Sequence, residues 1–210
     1  MKFSIIIPAY NAEGRIHRAL GMVKVQSFTD YELIVVCDSC TDRTEEIAKS
    51  YGAITANVNY HNDGLTRSKG LDMASGEWVL FIDDDDWWLH EFVLEQLNAA
   101  LTIYEDQIDL LCFSFIFRGR GYASPTSNNG AHWYAVWNKV WRRSLIGDTR
   151  FPNVPATSDV GFTDAVLAKH PRYIDWDMPM YYYNYMREGS ITHGLSRQTM
   201  ESETPEDPAP

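Results

Sequence analysis

The sequence predicts an α/β domain built on a mainly parallel sheet flanked by helices. Three observations carry this. The runs FSIIIPAY, YELIVVCDS and EWVLFID are apolar without alternation, as strands covered on both faces require. Segments with apolar residues at helical spacing separate them. Strand and helix then alternate over residues 3–117, the order that crossovers between parallel strands produce.

The elements follow in order. FSIIIPAY is the first buried strand, and NAEGRIHRALGMVKVQS is a helix with Ile16, Leu20 and Val23 on one face. YELIVVCDS is the second strand. TDRTEEIAKSYG is a helix with Thr41 or Asp42 as cap and Gly52 just past its end. AITANVNY is a weaker strand, GLTRSKGLDMASG a short helix, and EWVLFID the next buried strand. LHEFVLEQLNAALTIYE is amphipathic, and IDLLCFSFIF is a further strand. Beyond residue 118 the pattern breaks. RGRGYASPTSNNG is a loop, AHWYAVWNKVWRRSLI a strand turning into a helix, SDVGFTDAVLAKH a helix, and RYIDWDMPMYYYNYM an aromatic strand region. No repeat or linker interrupts residues 1–200, so one domain is expected, with residues 119–200 as a small lobe on the same sheet.

The chain has 210 residues, 45% of them hydrophobic, enough for one large core. Its 29 acids and 18 bases give a net charge of -11, which argues against unspecific nucleic-acid binding. The segment ESETPEDPAP, residues 201–210, holds four acids, no bases and three prolines, and reads as a disordered acidic tail. Three cysteines and no secretory h-region fit a reducing, cytoplasmic setting. No stretch approaches the length of a membrane span, which leaves the inner membrane face open as a resting place. Cys37 and Cys40 form a lone C-x-x-C. A zinc site needs two more ligands at suitable spacing, so a structural or incidental role is expected.

Ligands of open α/β sheets bind beyond the carboxyl ends of the strands. The polar clusters PAYN, CDSCTD and DDDD all sit there and should converge on one crevice. The four aspartates of LFIDDDDWW, Asp83 to Asp86, need a positive partner. Strand alternation would put Asp83 and Asp85 on one face and Asp84 and Asp86 on the other. Carboxylates two apart can approach one Mg²⁺ or Mn²⁺, hard ions that take one or two carboxylates plus phosphate oxygens. Without metal and ligand the run should then be strained or mobile. The plain alternative is a solvated turn with Asp86 capping the next helix, which accounts for one or two aspartates and not four.

IIPAYN, VVCDSCTD and GLTRSKGLDMASGEWVLFIDDDDWW, in that order, resemble the nucleotide-binding half of family 2 glycosyltransferases of the GT-A fold. WNKVWRRSLI, FPNVPATSDVGF and YYYNYMREGSIT are similar to the acceptor half of bacterial members, so the resemblance covers about residues 3–192. It implies an inverting sugar transfer from a nucleotide-sugar donor, most often a UDP-sugar, to a hydroxyl of a glycan or lipid-linked acceptor, with Mg²⁺ or Mn²⁺ as cofactor.

Carried over by position, Pro8, Ala9 and Tyr10 match the loop that contacts the nucleoside. Asp38 matches the aspartate that reads the uracil edge, although Cys37, Ser39 and Cys40 depart from the pattern around it. Arg67 matches an arginine near the diphosphate. Asp83 and Asp85 match the D-x-D element, Asp83 toward the ribose or sugar and Asp85 on the metal. Asp86 matches an aspartate near the donor sugar, and Asp84 has no assigned role.

An inverting transfer needs a carboxylate to take the acceptor hydroxyl's proton. The family's acidic pair opening a helix corresponds here to Ser158-Asp159, which makes Asp159 the candidate base or else the helix cap. Asp164, further along, is a weaker rival. Lys139 and Arg142 could reach phosphate or simply face solvent. Among Trp87, Trp88, Trp133, Trp137 and Trp141, at most two are expected at the site. Arg187 could close over the diphosphate, His193 could add a metal ligand, and Tyr181 to Tyr183 should alternate between core and acceptor groove. Two rivals remain. A nucleotidyltransferase would carry a Gly-rich basic loop after the first strand, which PAYNAEG lacks. A non-catalytic nucleotide-sugar-binding protein would account for the altered base element.

Overall fold

The computed structural model describes residues 1–104, 107–125, 131 and 134–184. Strands β1 (Phe3–Ala9), β2 (Tyr31–Asp38), β3 (Ile54–Val58) and β4 (Trp78–Phe81) run parallel in the order β3-β2-β1-β4. Every residue of β1 and β4 is buried, as their unbroken apolar runs require. Ile5 sits level with Leu33 on one side and Leu80 on the other, so the register is held by an apolar row across the sheet. Helices α1 (His17–Lys24), α2 (Thr44–Ser50), α3 (Asp63–Met73) and α4 (Val93–Tyr104) cover its faces. Asn62 caps α3, its side chain accepting from Leu65 N at 2.9 Å.

Beyond β4 the sheet reverses. The next strand in space is β8 (Lys139–Arg142), antiparallel to β4, followed by β6 (Leu110–Phe117), β9 (Tyr173–Tyr183) and β5 (Trp87–Trp88), with β7 (Gly121–Ala123) paired to β6. The strand expected from IDLLCFSFIF forms as β6, with β8 between it and β4. The second half, expected as a lobe packed on the same sheet, contributes β8 and β9 to that sheet. Short α5 (Arg143–Ile146) and α6 (Ser158–Leu167) follow β8. The helix expected from Leu89 begins only at Val93, because Trp87 and Trp88 pair with Tyr182 and Tyr181 as a strand.

Candidate functional site

The loops after β1, β2 and β4 do converge. Asn11 N donates to Cys40 Sγ at 3.4 Å, Thr41 N donates to Asn11 Oδ1 at 2.8 Å, and Ala12 N donates to Thr44 Oγ1 at 2.7 Å. The β4 end joins them through Tyr10 N, which donates to Asp84 Oδ2 at 3.3 Å. Asn11, Ser39, His61 and Thr157 carry positive φ of 42°, 55°, 49° and 63°, a left-handed backbone that non-glycine residues adopt at a cost. All four lie in the loops around this crevice.

The aspartate run forms a turn, not a strand: β4 ends at Phe81, and Asp86 N donates to Asp83 O at 3.1 Å. The pairing by exposure nonetheless matches the alternation. Asp83 and Asp85 are part-exposed, whereas Asp84 and Asp86 are buried. Protein groups supply partners to Asp83, Asp84 and Asp86, so part of the charge of the run is met within the fold. Arg15 grips Asp84 in a two-pronged pair, Nε to Oδ1 at 2.8 Å and Nη2 to Oδ2 at 2.9 Å. The same guanidinium donates to the carbonyls of Tyr10 and Asn11, both at 2.8 Å, and so ties the β1 loop to the turn. Burial lifts Asp84 to about 6 even with Arg15 opposing it. Asp86 accepts from Tyr181 Oη and from Asn184 N, both at 2.8 Å, and is only 1% exposed. It stands behind the crevice, fastening β9 to the turn, and it caps no helix.

Arg67 is the hub. Buried on α3, it pairs with Asp63 one turn earlier, with Asp83 Oδ1 at 2.7 Å, and with Asp159 Oδ1 at 3.5 Å. Elements far apart in sequence thus share one cation. Burial pushes Asp83 above the ordinary carboxylate range despite Arg67, with Asp85 adding to the rise. Burial likewise lifts Asp159 to about 6, against the pull of Arg67. Asp159 Oδ1 is buried and accepts no hydrogen bond. A part-exposed carboxylate with one unsatisfied oxygen and a raised pKa is what a proton acceptor at neutral pH requires.

The remaining expectations land as follows. Pro8 and Ala9 end β1, and Tyr10 is 55% exposed at the crevice mouth. Asp38 is buried, and its carboxylate accepts from the amides of Tyr60, His61 and Asn62 and from Thr66 Oγ1. Those bonds hold it below its usual range in spite of burial and fix the loop that starts α3. Asp164 faces solvent on α6, outside the Arg67 cluster. Lys139 is corrected on both counts: it is wholly buried, donates to Ala135 O at 2.7 Å, and burial lowers it to about 8. Arg142 stacks on Trp78 at 4.4 Å and donates to Ile108 O. Trp88, Trp137 and Trp141 are core, and Trp87 is part-exposed. Tyr181 is core, whereas Tyr182 and Tyr183 are part-buried. Trp133, Arg187, His193 and residues 201–210 lie outside the described residues. Cys37, Cys40 and Cys112 are free thiols, and Cys40 Sγ joins two loops by accepting from Asn11 N and donating to Ala9 O.

Two residues of this network escaped the sequence reading. Asp63 had a signal, its i,i+4 spacing to Arg67 on one helix. Arg15 had none, since its partner lies 69 positions away.

Close packing sets the position of Asp159. A Cβ on Gly64 of α3 would stand 2.7 Å from Ser158 Cβ, too near for any real contact. Gly64→Ala should therefore push α6 and Asp159 outward, destabilising the fold by about 1–3 kcal/mol. Thermal denaturation checks this, and an unchanged melting temperature would show that α6 yields without strain.

Asp83 and Asp85 offer hard oxygen donors, and no described residue donates to the second oxygen of Asp83. Among the described residues no group of three His, Cys, Asp or Glu could hold a metal ion. Mg²⁺ or Mn²⁺ bound through two carboxylates, phosphate oxygens and water fits this donor set.

Residues 4–162 match the family model described as "Glycosyl transferase family 2". The chain is 30% identical over 211 residues to poly(ribitol-phosphate) beta-N-acetylglucosaminyltransferase TarS of Staphylococcus aureus strain Mu50, covering 90% of this chain and 36% of that one. It is 25% identical over 228 residues to glycosyltransferase GlyA of Streptococcus pneumoniae, covering 95% of this chain and 32% of that one. The crystal structure of S. aureus TarS 1-349 in complex with UDP-GlcNAc superposes with a TM-score of 0.79 at 27% identity, covering 92% of this chain and 61% of that one. The chain thus spans about a third of the length of these two curated relatives.

Proposed function

The chain belongs to glycosyl transferase family 2, and from that premise we propose that it transfers a sugar from a UDP-sugar to a hydroxyl of a glycan or lipid-linked acceptor, with inversion. The observation that carries this is the gathering of Asp83, Asp159 and Asp63 on one buried arginine beside the part-exposed Asp85. The similarity to a β-N-acetylglucosaminyltransferase whose structure holds UDP-GlcNAc supports the choice of donor.

Tyr10, exposed at the crevice mouth, supplies a ring for the nucleoside, while Pro8 and Ala9 shape the backbone below it. Asp38 positions the 60–62 loop, the other wall of that mouth. Arg67 donates to the diphosphate, and its carboxylate partners keep it in place until the donor arrives. Asp83 and Asp85 would hold Mg²⁺ or Mn²⁺, which supplies positive charge to the departing diphosphate. Asp159 takes the proton of the acceptor hydroxyl as that oxygen attacks the anomeric carbon.

Calorimetric titration with UDP tests the donor assignment. The wild type should bind UDP far more tightly with Mn²⁺ than without, and Asp85→Ala should lose that difference. No heat from the wild type with Mn²⁺ present would sink the reading. Undiminished metal dependence in Asp85→Ala would remove Asp85 from the metal.

A further inference from the structure

A cavity of about 550 Å³ lies between α1 and the β5–β9 pair, a size suited to a ligand. Trp87 forms one wall, with Tyr182 stacked on it at 4.3 Å and the Arg18 guanidinium 4.1 Å from its ring. Arg18 lies one helical turn beyond Arg15, the residue that grips Asp84. Opposite, Arg118 Nη1 donates to Asn184 Oδ1 at 3.1 Å, which leaves the Asn184 amide NH₂ as a donor. Met22 adds an apolar wall.

Three features set this cavity apart. Among the described residues its lining holds no carboxylate, although the chain carries 29 acids against 18 bases. Neither Arg18 nor Arg118 pairs with a carboxylate among the described residues, whereas Arg15, Arg67, Arg150 and Arg172 all do. The cavity also abuts the aspartate turn, because Trp87 follows Asp86 and Asn184 N donates to Asp86 Oδ1 at 2.8 Å.

We propose that this cavity binds an oxyanion-bearing segment of the acceptor, a glycan or polyol chain carrying phosphate or carboxylate. The guanidinium forks of Arg18 and Arg118 and the amide of Asn184 take the anion. The Trp87–Tyr182 wall takes the adjoining ring or polyol carbons. The word acceptor rests on the glycosyltransferase reading; the anion site does not.

Fluorescence anisotropy with three labelled probes of equal length tests this: oligo(ribitol phosphate), oligogalacturonate and a neutral maltooligosaccharide. At least one anionic probe should bind, more weakly as salt rises, and the neutral probe should bind far less. The tighter of the two anionic probes identifies the anion. Arg18→Glu and Arg118→Glu each reverse an exposed charge and should each weaken that binding about tenfold or more. Binding unchanged in both variants, no binding of either anionic probe, or equal binding of the neutral probe would overturn the proposal. Titration of wild-type protein with UDP and Mn²⁺ runs alongside. Anion binding that depends on both arginines without UDP binding overturns the donor reading and leaves the cavity assignment standing, and the converse result does the opposite.

Discussion

Asp159→Asn should slow sugar transfer by about 10²–10⁴-fold, the range for losing a positioned general base. The amide keeps the shape of the side chain but cannot take a proton. UDP affinity should hold or rise slightly, because Asp159 sits 3.5 Å from Arg67 and competes for it with the diphosphate. The pH profile carries the second half of the expectation. A base works deprotonated, and burial lifts Asp159 to about 6. In the wild type, kcat/KM should climb with pH up to about 6 and level off above it. In the variant that acid limb should vanish. Steady-state transfer rates across pH 5 to 8, with about a pH unit between the limb and the plateau, are sufficient to see it. A variant that transfers at the wild-type rate would remove Asp159 from the reaction and leave it only as a partner of Arg67, since it caps no described helix.

Arg67→Met should cost the fold about 3 kcal/mol, the low end for breaking a buried ion pair, because the carboxylates left behind keep some contact with solvent. Three carboxylates, Asp63, Asp83 and Asp159, lose their shared cation at once. At about 2–4 °C per kcal/mol for a chain of this size, the melting temperature should fall by about 10 °C near neutral pH. The sign of the pH dependence follows. Asp83 and Asp159 already titrate above the unfolded value, and without Arg67 they titrate higher still. Folding then favours their protonated forms, so the lost stability returns as pH falls below those raised values. The gap between variant and wild type should narrow toward pH 5. A melting temperature within about 2 °C of the wild type at neutral pH would mean that solvent replaces the arginine freely.

Much of this was legible in the residues. The buried strands announced themselves because β1, β2 and β4 are largely apolar without alternation, and the loops after them followed from where ligands of such sheets bind. The partners of the aspartates were not legible. Arg15 and Arg67 lie 69 and 16 positions from Asp84 and Asp83, and only the folded sheet brings them within reach. The turn at Asp83–Asp86 was read as strand because the preceding WVLFI gives no stop signal. Lys139 misled in a different way. A lysine between tryptophans looks like a solvated or phosphate-binding residue, yet the surrounding strands enclose it, and the Ala135 carbonyl and the Asn138 amide oxygen accept from its ammonium. The reversal of the sheet was hidden for a topological reason: hydrophobic pattern marks a strand but not its neighbour or its direction.

The place of β8 between β4 and β6 has a consequence for how the chain comes to be folded. The strand is made last of the three, yet it fills the gap between Trp78–Phe81 and Leu110–Phe117, pairing Val79 and Leu110 to the same Trp141. Until the ribosome has released residue 142, both neighbours present bare, apolar edges, the form of strand that recruits unwanted partners. The first 118 residues, for all their ordered motifs, are therefore not a unit that matures alone. Insertion of β8 joins the two halves of the sheet, and β9, made later still, completes it beside β6 and β5, long-range pairing of the kind that slows folding.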